Sequence, residues 1–485
     1  MRPILAGLDT EYGLVVEGRT PFDQIEDARD FVTCLHPFGF PGWDLRDEAS
    51  RRDLRGYQVQ ALSVDPQDAR YDQGATTAPD RADVVLPNGA RLYNDHGHPE
   101  YATPECLSGN ELALHDRAGD AWMRRAARIF AERTNRRVHV IKNNTDGEAT
   151  WGAHESYLVP RSLGFEALYL ALVPMLVTRT TLTGAGRVHR GQFQLSQRAE
   201  FFSERASVDT LYRRPIFNTR DEPHAAFGEW VRVHVITGDA NMMPSVTARK
   251  VNLVKIALAL AEIGQAPEWR LADPVRVFQD VSHSPETDVR IALEGGNWTT
   301  ARFVLESYLE AAVAQLDPAT PGAHELVACA QSSLELLEQK ESQPGIFAQH
   351  VEWAAKRKVL TTFLASEGED LSSPRASALD ISWHDLDPEV GLYGAIHDAG
   401  WVAEDPAPGD VAIRMKHVTE PTRAFARSIA VRRWCQELSG VSWGRLVLGR
   451  GERRREALLP PDRLYPESLD EASDVDTFVS LLEQL

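Results

Sequence analysis

The sequence predicts an α+β protein: one large domain with a smaller one appended at its C-terminal end. Three observations carry that expectation. Strand-like and helix-like stretches follow one another irregularly, without the regular strand–helix–strand spacing of a parallel sheet. At 485 residues the chain exceeds what a single hydrophobic core usually supports. The acidic segment 403-AEDPAPGDVA-412, with two prolines and a glycine, reads as a linker. The expected domains are therefore residues 1–405 and 406–485.

Taken in order, 3-PILAGLDTEYGLVVEG-18 alternates apolar and polar residues as a half-buried strand does, and a spacing of two puts Asp9 and Glu11 on one face. Residues 46–81 are rich in Asp, Arg, Gln and Gly with few large apolar side chains. They read as a long loop, either a functional element near the active site or a passive insertion. In 91-RLYNDHGHPEYATPEC-106, Arg91, Tyr93 and Asp95 share one strand face, and Pro99 and Pro104 fix turns that bring Glu100 and Thr103 back toward it. Helical periodicity covers 111–133, a strand fits 138–144, and an apolar helix fits 165–179. A buried or amphipathic helix over 251–264 ends at Gly264, and 299–340 is mostly helical.

Composition narrows the function. The net charge of −19, from 52 basic and 71 acidic side chains, argues against a general binder of nucleic acid or anionic membrane. Cys34, Cys106, Cys329 and Cys435 show no metal-knuckle or CxxC spacing and read as reduced thiols of a cytoplasmic protein. No signal-peptide pattern opens the chain, and its longest apolar run, 167–177, is short of the ~20 residues a membrane helix needs.

The polar motifs suggest metal and phosphate chemistry. Mg2+ prefers hard oxygen ligands, and Asp9 and Glu11 from one strand with Glu100 and Glu105 from another segment could supply them. His154, in 151-WGAHESYL-158, reads either as a core histidine or as part of that cluster. Arg198, in 195-LSQRAEF-201, and Arg220, in 217-FNTRDEPH-224, could clamp phosphate or pair internally with Glu200, Asp221 or Glu222. His234 alternates with valines in 232-RVHVITGDAN-241, so it projects from a strand away from the core face. No GxxxxGK[ST] loop is present, so a nucleotide would need a cradle of metal and arginine on a sheet. Asp95, near such a metal, could serve as nucleophile or general base.

Several motifs in this order, GLDTEYG at 7–13, NGARLYNDHGHPEYATPEC at 88–106, KNNTDG and GAHESYL within 142–158, LSQRAE at 195–200, NTRDEPHA at 218–225 and RVHVITGDAN at 232–241, resemble the Pup ligase and Pup deamidase/depupylase family. Weaker echoes follow at EWAAKRKVL (352–360), PTRAFAR (421–427) and VSWGRLVLG (441–449). The family is related to glutamine synthetase and the carboxylate–amine ligases. The resemblance implies a large domain with a curved, mostly antiparallel sheet cradle packed on helices, plus a small C-terminal domain. The spacing D-H-x-H-P-E-Y at 95–101 and the insertion before NGARLY resemble the deamidase/depupylase branch; ligases have one more residue in that spacing.

By motif, the resemblance implies Asp95 as the catalytic aspartate, and Asp9, Tyr93 and Glu100 as Mg2+ ligands with His154 beside them. Arg91, Thr103 and Trp443 become nucleotide contacts, and Arg198, Arg220 and His234 line the same cradle. The implied cofactors are ATP, or ADP plus phosphate, and Mg2+. The implied partner is Pup or a Pup-like modifier, free or on modified proteins, acted on by a monomeric enzyme. Two departures stand out: the family usually has glutamate where this chain has Asp9, and 245-SVTARKVNL-253 replaces a more threonine-rich stretch. An ATP-dependent ligase and a nucleotide-binding paralogue without turnover are the other readings.

Overall fold

The structure is a computed structural model describing residues 2–46, 52–59, 82–210, 212–221, 225, 228–286, 288–403 and 405–485. Most of the 46–81 loop lies outside the described residues. Six strands form the principal sheet: β1 (Ala6–Glu11), β2 (Val84–Val85), β3 (Arg91–Asp95), β4 (His98–Ala102), β5 (Ala153–Pro160) and β6 (Trp230–Val235). Their order is β6-β5-β1-β4-β3-β2, and every neighbouring pair is antiparallel. The fold is α+β, as its mixed strand and helix patterns predict.

The period-two pattern of β1 buries Ala6, Leu8 and Thr10 on one face and turns Gly7, Asp9 and Glu11 to the other. Helix α1 (Gln24–Thr33) packs on β3 and β4, and helices α2 (Gly109–Thr134), α3 (Gly164–Thr178) and α4 (Pro244–Glu262) cover the apolar face. Leu8, Tyr157 and Val233 pack there with Leu172 and Val254, while Leu92 and Tyr101 pack with Trp122 and Met123 in an adjoining core. The opposite face is left to the polar side chains.

Some element limits differ from expectation for identifiable reasons. Helix α2 starts two residues early because Ser108 caps it, its Oγ accepting the Glu111 N–H. Helix α4 starts at Pro244, seven residues before the expected Val251, because its first turns carry Arg249 and Lys250, polar residues that nonetheless are buried. Lys250 Nζ donates to the Asp239 carbonyl at 2.6 Å, which offsets the cost of burying the ammonium. The strand expected over 138–144 is shorter, Val138–Ile141. By length and composition, Arg161–Thr178 would suffice to cross a membrane, but 50% of it is buried within the protein.

A third core joins α5 (Arg423–Trp434), the three-stranded sheet β7 (Leu438–Ser442), β8 (Arg445–Leu448) and β9 (Arg455–Leu458), and α6 (Val475–Glu483). Ile429, Trp434, Val441, Leu446 and Phe478 fill it, together with Trp43 and Val85 from the N-terminal part. The 403–412 segment, expected as a linker, is docked. Asp405 accepts from Arg117 and from the Tyr393 hydroxyl, each at 2.6 Å. A short helix, Pro408–Arg414, then brings Arg414 to Glu111 on α2 at 2.7 Å.

Candidate active site

Strand register decides which polar side chains meet. Glu11 on β1 faces Glu100 on β4, which faces Tyr93 on β3, and Asp95 faces His98 across the hairpin. Asp9 lies two pairs along, opposite Ala102 on β4 and His154 on β5. As a result the carboxylate oxygens of Glu11, Asp95 and Glu100 lie within 4.8 Å of one another. Burial first, then the charge of Asp95, pushes Glu11 up to about 7. Burial followed by Asp95, Glu11 and Asp9 holds Glu100 well above the usual carboxylate range. The Tyr93 phenol is likewise raised, by burial and then by Glu100 and Asp95.

Three crowded carboxylates that resist ionising together are what a divalent cation relieves, and their oxygens are the donors Mg2+ prefers. The residues present therefore fit such an ion. Glu11 belongs to this group although the resemblance did not name it as a ligand; the i, i+2 spacing from Asp9 was its signal. Of the expected ligands, Glu100 is in the group, while Asp9 and Tyr93 border it and act on it electrostatically.

Glu105 is a correction. Expected as a fourth acid, it is instead locked to the C-terminal core: Arg423 Nε donates to it at 2.5 Å and Arg427 Nη1 at 3.1 Å. Despite the cost of burial, these guanidinium groups bring it down to about 2. Its direction could not follow from strand alternation, because β4 ends at Ala102.

The flank of the cradle is histidine and arginine. His154 and His234 meet edge to face with ring centroids 4.9 Å apart. Burial, then His234 and Arg198, hold His154 neutral, well below its usual pKa. A Cβ on Gly152 would stand 2.4 Å from Glu11 Oε1 and 2.7 Å from His154 Nε2, so only glycine lets these two tips converge. Arg198 is fully buried, with Nη1 donating to the Ile236 carbonyl at 2.6 Å and Nε to Thr150 Oγ1 at 3.3 Å. Burial and the nearby Arg214 bring it down to about 10, while Glu11 draws it the other way.

Of the acids considered as partners for Arg198 and Arg220, Glu200 instead engages Arg187, Gln194 and His283, and Glu222 lies outside the described residues. Arg220 sits toward the 52–59 segment: its backbone bridges to Asp53 and its Nη2 donates to the Val208 carbonyl at 3.2 Å. Asp221 pairs with Arg161 at 2.9 Å.

A second pocket adjoins Asp9. Thr103, Ser156, Arg232, Arg423 and Trp443 line it, and Thr103 Oγ1 accepts the Leu8 N–H at 3.0 Å. Trp443 meets Trp43 edge to face at 5.0 Å. The Arg91 guanidinium, paired with Asp83 at 2.6 Å, lies 4.3 Å over Trp43 and 3.9 Å over Tyr93. Thr103 and Trp443 thus line a space beside Asp9, and Arg91 stacks on Trp43 behind Trp443. Trp43, which joins Arg91 to Trp443, is a residue that sequence reasoning missed, and nothing in its local sequence marks it.

The back of β1 is held as firmly as its front. Tyr12 donates to Asp120 at 2.8 Å, and Lys142 Nζ donates to Asp116 at 2.7 Å and Asp120 at 3.1 Å. Two residues on, the Asn144 backbone N–H donates to Gln197 Oε1 at 2.7 Å and Asn144 Oδ1 accepts the Ala240 N–H at 2.6 Å. The motifs at 142, 195 and 232 are therefore stitched together beneath the site.

The family model described as "Pup-ligase protein" matches residues 4–447. The chain is 33% identical over 477 residues to a protein named depupylase from Acidothermus cellulolyticus, covering 94% of each. It is 32% identical over 461 residues to the Pup deamidase/depupylase of Mycobacterium tuberculosis, covering 91% of this chain and 90% of that one. The solved structure of the Pup ligase PafA in complex with ADP superposes with a TM-score of 0.74 at 26% identity, covering 88% of this chain and 95% of that one. With a family match spanning nearly the whole chain and a relative 33% identical over 94% of it, the chain belongs to the Pup-ligase protein family.

Proposed function

We propose that this chain is an amidohydrolase of the deamidase/depupylase type, acting on the C-terminal glutamine of a Pup-like modifier, on its isopeptide bond to substrate lysines, or on both. The observation that carries the reading is the Asp95 carboxylate, set at the end of β3 among Glu11 and Glu100 and followed by a turn of only two residues. The names of the relatives support the modifier as substrate, and the ADP complex of PafA supports a bound nucleotide, for which the Trp443 pocket is the place we assign.

In this reading Arg91, Thr103 and Trp443 bind the nucleotide, which is retained between turnovers. Glu11 and Glu100, with Asp9, Tyr93 and His154 around them, would hold Mg2+. When bound, the ion supplies positive charge to phosphate and carbonyl oxygens. Arg198 and His234 steady the anionic groups in the cradle, with Arg198 facing the developing oxyanion, and Arg220 is read as reaching them from the side of the 52–59 segment. Asp95 has two routes. As nucleophile it attacks the carbonyl carbon, the C–N bond breaks, ammonia or the lysine amine leaves with a proton, and water then cleaves the acyl-aspartate. As base it takes a proton from water, whose oxygen attacks the carbon directly; the C–N bond then breaks and Asp95 returns the proton to the leaving amine. A single turnover in H2 18O tests the first route, because water attacking the aspartyl carbon of the anhydride leaves 18O in Asp95, a label the second route never places there.

We divide the chain into a large catalytic domain, 1–405, and a small domain, 406–485, which brings Trp443 to the nucleotide. The protein is read as a cytoplasmic monomer, and its four free thiols fit a reducing compartment. The decisive experiment incubates purified protein with ATP, Mg2+ and a glutamine-ended modifier or an isopeptide conjugate, followed by mass spectrometry. Loss of the amide, or release of the lysine, abolished by Asp95→Asn, is expected. Joining a glutamate-ended modifier to lysine would instead make it a ligase. Nucleotide binding without either reaction would make it a regulatory paralogue.

A further inference from the structure

We infer that His96 is a positioning residue for Asp95, pinning one carboxylate oxygen so that the other meets the reacting carbonyl or water. His96 Nδ1 lies 3.1 Å from Asp95 Oδ2. The two residues are neighbours at the tip of the β3–β4 hairpin, where His96 has φ +50° and Gly97 φ +90°. A two-residue turn with both φ values positive suits asparagine or glycine at its first position, and the turn itself has no use for an imidazole. What the imidazole adds is its contact with the carboxylate.

Asp95 needs such a contact. It ends its strand, and Glu11 and Glu100 crowd it with like charge. Coulomb repulsion alone favours a carboxylate swung away from them, out of line with a substrate in the cradle. The hairpin tip gives His96 a firm base. Asn94 Oδ1 accepts the Gly97 N–H at 3.0 Å, and a Cβ on Gly97 would stand 3.1 Å from Gln24 Cγ on the neighbouring helix Gln24–Thr33. The imidazole is thus held by a turn that cannot rock, in the way outer groups orient a working ligand.

The kinetic arm of the test rests on the amidohydrolase reading, and a structural arm does not. His96→Asn and His96→Gly both fit the turn, so neither is expected to lower the thermal midpoint. Both are expected to lower kcat by about ten- to a hundredfold with KM for the modifier nearly unchanged. Imidazole added to His96→Gly should restore part of that loss and should do nothing for Asp95→Asn. If both variants keep wild-type kcat, the inference is overturned. If the wild type cleaves neither bond, the amidohydrolase reading falls, and crystal structures of wild type and His96→Gly decide the matter. A displaced Asp95 carboxylate in the variant upholds the inference; an unmoved one overturns it.

Discussion

Replacing Glu105 by glutamine tests the division of labour among the acids most directly. The residue is 9% exposed, and its carboxylate carries Arg423 and Arg427 at hydrogen-bond distance. The usual value of 4.5 falls to about 2 in the folded protein. At 1.36 kcal/mol for each tenfold change, that difference amounts to about 3 kcal/mol at neutral pH. Because the folded carboxyl has the lower pKa, the unfolded chain binds more protons between the two values. The stabilisation is complete above 4.5 and is lost as pH falls toward 2. Glu105→Gln keeps the shape but leaves two buried guanidinium groups without an anion, a loss on the order of 3–5 kcal/mol.

Denaturant unfolding followed at pH 7 and near pH 3 should show the variant less stable by about 3 kcal/mol at the first and by clearly less at the second. Nucleotide affinity should also fall, because Arg423 lines the Trp443 pocket and Arg427 Nη1 donates to the Trp443 carbonyl at 3.1 Å. A cost under about 1 kcal/mol, or one independent of pH, would refute the ion-pair account. An unchanged stability with a raised Mg2+ requirement would return Glu105 to the metal.

Three other substitutions address the remaining parts of the site. Glu11→Gln should raise the Mg2+ concentration for half-maximal nucleotide binding at least about tenfold, read by calorimetry; no change would remove Glu11 from the ion's shell. Trp443→Ala should weaken nucleotide binding about tenfold through loss of an aromatic stacking surface, read by fluorescence titration. Lys142→Met should destabilise the protein by about 3–5 kcal/mol by leaving Asp116 and Asp120 buried without their cation, with partial recovery when Asp120→Asn is added.

Asp9, Glu11 and Glu105 show why part of the site was legible in the sequence and part was not. Alternation is a local property, so the shared face of Asp9 and Glu11, and of Arg91, Tyr93 and Asp95, follows from a few residues each. Alternation does not say which of two same-face acids meets Glu100. That depends on register: β4 pairs Glu11 with Glu100 and Asp9 with Ala102. Beyond Ala102 the period-two rule lapses, so Glu105 is aimed by Arg423 and Arg427, over three hundred residues away. Trp43 depends on the same distant core and had no local pattern to betray it. Even the helices obey this division. The 165–179 expectation landed because its apolar residues are self-evident, whereas α4 hid its first turns behind Arg249 and Lys250, whose burial is licensed by carbonyl partners from other elements. A face can be read from one strand; a partner requires two, and in this site the chemistry resides in the partners.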